Sequence, residues 1–72
     1  MQTYRVTIRN THDASLPVNE KVQASSRDNA LAKVCPDFDD LPTAYTTATV
    51  RTVEGGKHGM WRRAPKMGWD ND

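Results

Sequence analysis

The sequence predicts an α+β domain in which an antiparallel sheet of four to five strands carries one short helix on one face, in the chain order β-β-α-β-β. Three observations lead there. Residues 4–9 alternate apolar and polar side chains, the period-2 pattern of a half-buried strand. The stretch SSRDNALAKVC has the cap, the charge placement and the apolar spacing of a short helix. The last third turns to β-branched residues, then glycines, then a tryptophan-bearing return segment, which reads as a hairpin. One helix resting on one antiparallel sheet is the economical way to bury these faces.

Taken in order, the first strand places Tyr4, Val6 and Ile8 on one side and Arg5, Thr7 and Arg9 on the other. NTHDAS is turn chemistry, because Asn10, Asp13 and Ser15 can satisfy their own backbone. A weaker alternation follows from Val18 to Ala24, with Val18, Val22 and Ala24 sharing a face that Glu20 interrupts, which puts Glu20 near an edge. The helix begins at Ser25 or Ser26, with Asp28 completing a near capping box. Ala30, Leu31 and Val34 form its buried stripe, and Pro36 stops it. A helix of about ten residues is marginal alone, so it must rest on the sheet. PDFDDLP is an acidic loop around Phe38 and Leu41. In TAYTTATVRTV the phase is mixed, with Ala48 and Val50 on one face and Tyr45 and Val53 on the other, which predicts a bulge or a strand covered on both sides. EGGKHG supplies the turn and MWRRA the return strand, with Met60 and Trp61 on opposite sides of it. Residues 65–72 read as a flexible tail or a short edge strand around Trp69.

The chain of 72 residues is one domain, and at this size folding buries only about 60% of the surface that the unfolded chain exposes. With 36% hydrophobic and 26% charged residues it is polar, yet it keeps enough Val, Ile, Leu and aromatic residues to fold. Cys35 stands alone, which excludes an internal disulfide and suits a reducing compartment. The N-terminus lacks the apolar core of a signal peptide, and no apolar run approaches the roughly 20 residues needed to cross a bilayer. The expectation is a cytoplasmic protein without membrane contact, a monomer or weak dimer.

Catalytic and metal chemistry find little support. His12 and His58 fall in turns with no second ligand at metal spacing. Cys35 ends a helix rather than starting one, so it lacks the environment that activates a thiol. EGGKHG resembles a phosphate loop only in composition, and Asp39 and Asp40 sit in a chain too small to build a deep pocket around them. The expectation is no enzyme, no cofactor and no metal.

Charge is more informative. Lys57, Arg62, Arg63 and Lys66 form an acid-free run, whereas Asp37, Asp39 and Asp40 form a base-free one, so the chain reads as bipolar although its net charge is only +1. If the first strand and the hairpin share a sheet, Arg5, Arg9, Arg51 and some of Arg62 and Arg63 line its open face; the plain alternative is an ordinary solvated sheet face. Six of the ten cations are Arg, the residue enriched at interfaces for its fork geometry and stacking. Of the two tryptophans, Trp61 is the candidate for the core and Trp69, between Gly68 and an acidic end, the candidate for an exposed anchor. A pI near 7.9 falls short of the basicity of a dedicated nucleic-acid binder, so nucleic acid enters as a secondary contact.

The run TYRVTIRN…EKVQASSRDNALAKV…TATVRTVEGGKHGMWRRAPKMGW resembles a group of very small phage-encoded inhibitors of host machinery. Two members are the type I anti-CRISPR proteins that occupy the DNA-binding surface of the Cascade complex and the early podophage inhibitors of bacterial RNA polymerase. The likeness to the first extends to the approach to a Trp-bearing return strand, carried here by Val50, Arg51, Gly55 and Trp61; the second lacks that hairpin. The resemblance implies a non-enzymatic inhibitor that blocks a surface of a host protein or ribonucleoprotein complex in the bacterial cytosol, with Arg27 and Lys33, on and beside the helix, contributing to the contact. The chain departs from the pattern in its longer acidic loop from Pro36 to Pro42. The alternative from another class is a small nucleic-acid-binding regulator that uses an Arg-rich sheet face.

Overall fold

The computed structural model describes residues 1–11, 18–53 and 59–70. Its elements run β1 (Gln2–Asn10), β2 (Val18–Ala24), α1 (Arg27–Val34), a 3-10 turn at Phe38–Asp40, β3 (Thr46–Thr52) and β4 (Met60–Arg63). The expected α+β class and chain order hold, and the described residues form four strands, with no fifth around Trp69.

The strands order as β2-β1-β3-β4, every neighbour antiparallel. β1 is therefore central, which suits the strand with the cleanest alternation. Its Val6 lies between Glu20 of β2 and Val50 of β3, and its Ile8 between Val18 and Ala48. Directly opposed residues share a face, so one side of the sheet collects Tyr4, Val6, Ile8, Ala48 and Val50, all buried. The helix covers that side, contributing buried Ala30 and Leu31, and Phe38 of the 3-10 turn completes the layer. Val34, expected on the same stripe, is half-buried. Glu20 shares the inner face but sits on the edge strand β2, where it stays exposed.

Local chemistry accounts for the helix ends. Ser26 is extended and its hydroxyl accepts from the Asn29 N–H at 3.2 Å, so Ser26 is the cap. Asp28 does not close a capping box, because it accepts from the Trp69 indole instead. The helix stops at Val34, two residues before Pro36 would have removed a donor, and the Cys35 N–H still donates to the Leu31 carbonyl at 2.8 Å.

Two sequence expectations are corrected here. β3 has neither bulge nor mixed phase: Thr46, Ala48 and Val50 are buried in regular alternation, and Tyr45 and Val53 fall just outside the strand. Residues 65–70 are also no loose tail. Lys66 takes a left-handed turn (φ 66°), Met67 N–H donates to the Ala64 carbonyl, and the chain returns along the outer edge of β4. There the Asp70 N–H donates to the Arg62 carbonyl at 3.0 Å and the Arg62 N–H donates to Asp70 Oδ1 at 3.1 Å. Pro65 and Trp69 are buried by this fold-back.

At the turn end of the β3–β4 hairpin, Thr52 and Gly59 exchange hydrogen bonds, the Thr52 hydroxyl accepting from the Gly59 N–H at 2.8 Å. Gly59 is required by packing, since a Cβ there would run into the indole of Trp61.

Candidate functional site

The register that builds the core on one face also decides what stands on the other. Arg5 lies directly opposite Lys21 on one side and Arg51 on the other, and Arg51 lies opposite Met60, so one row crosses all four strands as Lys21–Arg5–Arg51–Met60. The next row reads Asn19–Thr7–Thr49–Arg62, and beyond it Arg9 faces Thr47. Arg5, Arg9, Arg51 and Arg62 thus line a single shallow groove of about 600 Å³, bordered by Tyr45 and Met60, and among the described residues its lining contains no carboxylate. Both border residues are exposed, Tyr45 at 46% and Met60 at 44%. Arg5 is oriented by donating to the Asn19 side-chain carbonyl at 2.8 Å, and among the described residues none of the five cations forms an ion pair with a carboxylate.

This arrangement is energetically unusual. Like charges directly opposite one another across strands destabilise a sheet by a few tenths of a kcal/mol to about 1 kcal/mol per pair. Arg5 has such a neighbour on both sides. Among the described residues no carboxylate offsets this repulsion within the face, so an anion placed there would relieve it.

The other expected contact residues have different positions. Arg63 faces the core side, opposite Ala48, and is half-buried. Its guanidinium lies 5.1 Å from the Phe38 ring centre and 5.7 Å from that of Trp69, and it pairs with Asp39. Asp39 also accepts from the Lys66 main-chain N–H at 2.9 Å; that hydrogen bond, and then the Arg63 charge, hold its carboxyl below the ordinary carboxylate range. The two charge runs that read as opposite poles of a binding surface therefore meet within the molecule, where Asp39 pairs with Arg63 and accepts from the Lys66 main chain.

Trp69 is corrected likewise: only 9% exposed, it is a core residue whose indole donates to Asp28 Oδ1 at 2.7 Å. The Arg27 guanidinium lies 5.1 Å from its ring and 5.2 Å from that of Trp61, giving a ladder of alternating rings and cations from Phe38 through Arg63, Trp69 and Arg27 to Trp61. Trp61, expected inside, is on the core side but half-buried. Lys33 donates to the Gln23 carbonyl across the helix–sheet junction, Asp37 accepts from the Cys35 thiol at 3.3 Å, and Asp40 is exposed. Burial and then the Asp37 contacts push the Cys35 thiol up, so it stays protonated near neutral pH. Lys57, like His12 and His58, lies outside the described residues.

Of the expected site residues the structure brings together Arg5, Arg9, Arg51 and Arg62, and it separates Arg27, Lys33, Asp37, Asp39, Asp40, Arg63, Lys66 and Trp69 from them. Sequence reasoning missed Lys21, Asn19 and Tyr45. Lys21 and Asn19 were readable in principle, since they hold the polar phase of β2, but their place beside Arg5 and Thr7 depends on the hairpin register. Among the described residues no group of three or more His, Cys, Asp or Glu side chains is placed to hold a metal, and no helix is long and apolar enough to cross a membrane. Comparison with family models, curated proteins and solved structures finds no match.

Proposed function

We propose that this chain is a non-enzymatic inhibitor-type binding protein that acts in a host bacterial cytosol by laying the open face of its sheet over an anionic working surface of a larger host complex. The observation that carries this reading is the row of like charges, Lys21–Arg5–Arg51, set in register on a face that carries no carboxylate among the described residues. A rigid four-stranded sheet presents these cations in fixed positions, and the opposite face supplies the whole core, so occupancy of the open face needs no rearrangement. The groove offers charge and hydrogen-bond donors, which is the chemistry of holding rather than of bond cleavage.

The resemblance to small phage inhibitors names the first target to test, a type I CRISPR effector complex, with host RNA polymerase as the second. The test is phage plating on a host with an active type I system. Expression of the chain should restore plaque formation, and an Arg5→Glu, Arg51→Glu variant that still folds should not. If that variant protects phage as well as the wild type does, the open face is not the working surface. If neither protects, the same pair is compared for inhibition of transcription by the purified host polymerase.

A further inference from the structure

Resting on that reading, we infer that what the open face holds is the phosphate backbone of a single-stranded nucleic acid. The choice lies between a nucleic-acid strand and an acidic protein surface, and the composition of the face decides it. Protein interfaces place apolar anchors at the centre and charge at the rim. This face does the reverse: Arg5 and Arg51 stand in the middle strands β1 and β3, and the apolar Met60 is at the border. Between the cations stand the hydroxyls of Thr7, Thr47 and Thr49, donors suited to phosphate and sugar oxygens.

Dimensions favour a single strand over a duplex. With neighbouring strands about 4.8 Å apart, four strands span about 14 Å before side chains are added, which is wider than the roughly 12 Å major groove that admits only a helix or a two-stranded ribbon. Along β1, Arg5 and Arg9 leave the sheet about 13 Å apart, so a flexible strand can cross the face with successive phosphates near Arg9, Arg62 and the Arg5–Arg51 pair. The exposed ring of Tyr45, at the border near Arg9 and Thr47, offers a surface on which one base can stack. Asp70, on the outer side of β4, is engaged by the Arg62 main chain.

The test is fluorescence anisotropy of a labelled 20-nucleotide oligothymidylate and a mixed-sequence RNA of the same length, titrated with the full chain at 50 to 200 mM NaCl. Four phosphate contacts on a single strand give a log–log salt slope of about −2.8, so affinity should fall about 50-fold over that range. Arg5→Gln, Arg51→Gln should flatten the slope by about 1.4, and Arg9→Gln, Arg62→Gln by the same amount, with circular dichroism checking that each pair folds. No binding at 50 mM NaCl, or unchanged slopes in both folded pairs, overturns the inference. Equal binding to a duplex of the same length overturns the preference for a single strand, and competition by polyglutamate as effective as that by unlabelled oligonucleotide assigns the face to an acidic protein. In that last outcome the face variants still lose inhibition in the plating assay, so the binding-protein reading survives; if the variants retain inhibition, the reading itself fails.

Discussion

Arg51→Gln should make the protein more stable, which few surface substitutions do. In the folded sheet Arg51 faces Arg5 across the β1–β3 ladder and Met60 across β3–β4, is exposed, and receives no carboxylate among the described residues. Two unit charges about 7 Å apart in water repel by about 0.6 kcal/mol. That agrees with the roughly 0.2–1 kcal/mol attributed to a directly opposed pair. Gln keeps an unbranched polar side chain with hydrogen-bonding capacity and is shorter by about two atoms, so on this exposed site the substitution removes chiefly the charge. A gain near 0.5 kcal/mol corresponds to a rise in Tm of about 2–4 °C for a domain of this size. Arg51→Glu, which turns the repulsion into attraction with Arg5, should rise further, by about 1 kcal/mol in all at low salt. The assay is thermal unfolding followed by circular dichroism at 20 mM and 1 M NaCl. As the screening length shrinks to about 3 Å at 1 M, the three proteins should converge. A lower Tm for Arg51→Gln at 20 mM, or a gain that salt does not reduce, would show that the arginine row is a structural element and remove the argument that it is held for a ligand.

Other outcomes test the opposite side of the sheet. Trp69→Ala should cost about 3–5 kcal/mol, by loss of a buried indole, its hydrogen bond to Asp28 and its stacking with Arg27 and Arg63. Against a total stability of roughly 4–11 kcal/mol for 72 residues that is most of the fold, so a Tm fall of only a few degrees would return residues 65–70 to the status of a tail. Asp39→Ala should lower Tm at pH 7. Because the Asp39 carboxyl is held below its ordinary 3.8, its contribution is present above that value and is lost as pH falls through the lower folded value, so wild type and variant should converge in acid. Tm curves that stay parallel from pH 7 to pH 2.5 would contradict the Arg63–Asp39–Lys66 arrangement. The Cys35 thiol, raised by burial and Asp37, should react with a thiol reagent at pH 7 several-fold more slowly than a cysteine in a short peptide; equal rates would contradict its protonated, half-buried state.

How far the fold was legible follows the range of the interactions involved. β1 and the helix were readable because their signals are local: the alternation from Tyr4 to Ile8 and a serine cap followed by apolar spacing. β3 was misread in phase because Thr46, polar by type, is the buried member of its pattern, accepting from the Asn10 side-chain amide at 2.9 Å, while the aromatic Tyr45 stays outside. The misplacement of Trp69 has the same origin at longer range. Its partner Asp28 is 41 residues away, whereas its local context of Gly68 and terminal acids reads as a tail. For the open face, the strand phases were legible and the rows were not, because a one-residue change of register would set Arg5 beside different partners.

Arginine abundance alone did not locate the site, and the structure explains why. Arg27 and Arg63 belong to the side of the sheet that folds the protein, where a planar guanidinium can lie against Trp61, Trp69 and Phe38 and cover rings that a chain of 72 residues cannot bury completely. Arg5, Arg9, Arg51 and Arg62 belong to the side where no ring of the core and no carboxylate among the described residues meets them. The same residue type therefore divides into members whose partner the fold supplies and members left to solvent on the open face, the ones proposed to meet a ligand. Strand alternation in β4 turns Arg63 to the core side and Arg62 to the open face, and Asp39 then pairs with Arg63 and accepts from the turn at Lys66. A one-residue shift of β4 would bring Arg63 to the open face in place of Arg62 and vacate its place in the ring ladder, while the Lys21–Arg5–Arg51 row would stand, so the Asp70–Arg62 contacts that hold this register keep Arg63 beside Phe38 and Trp69.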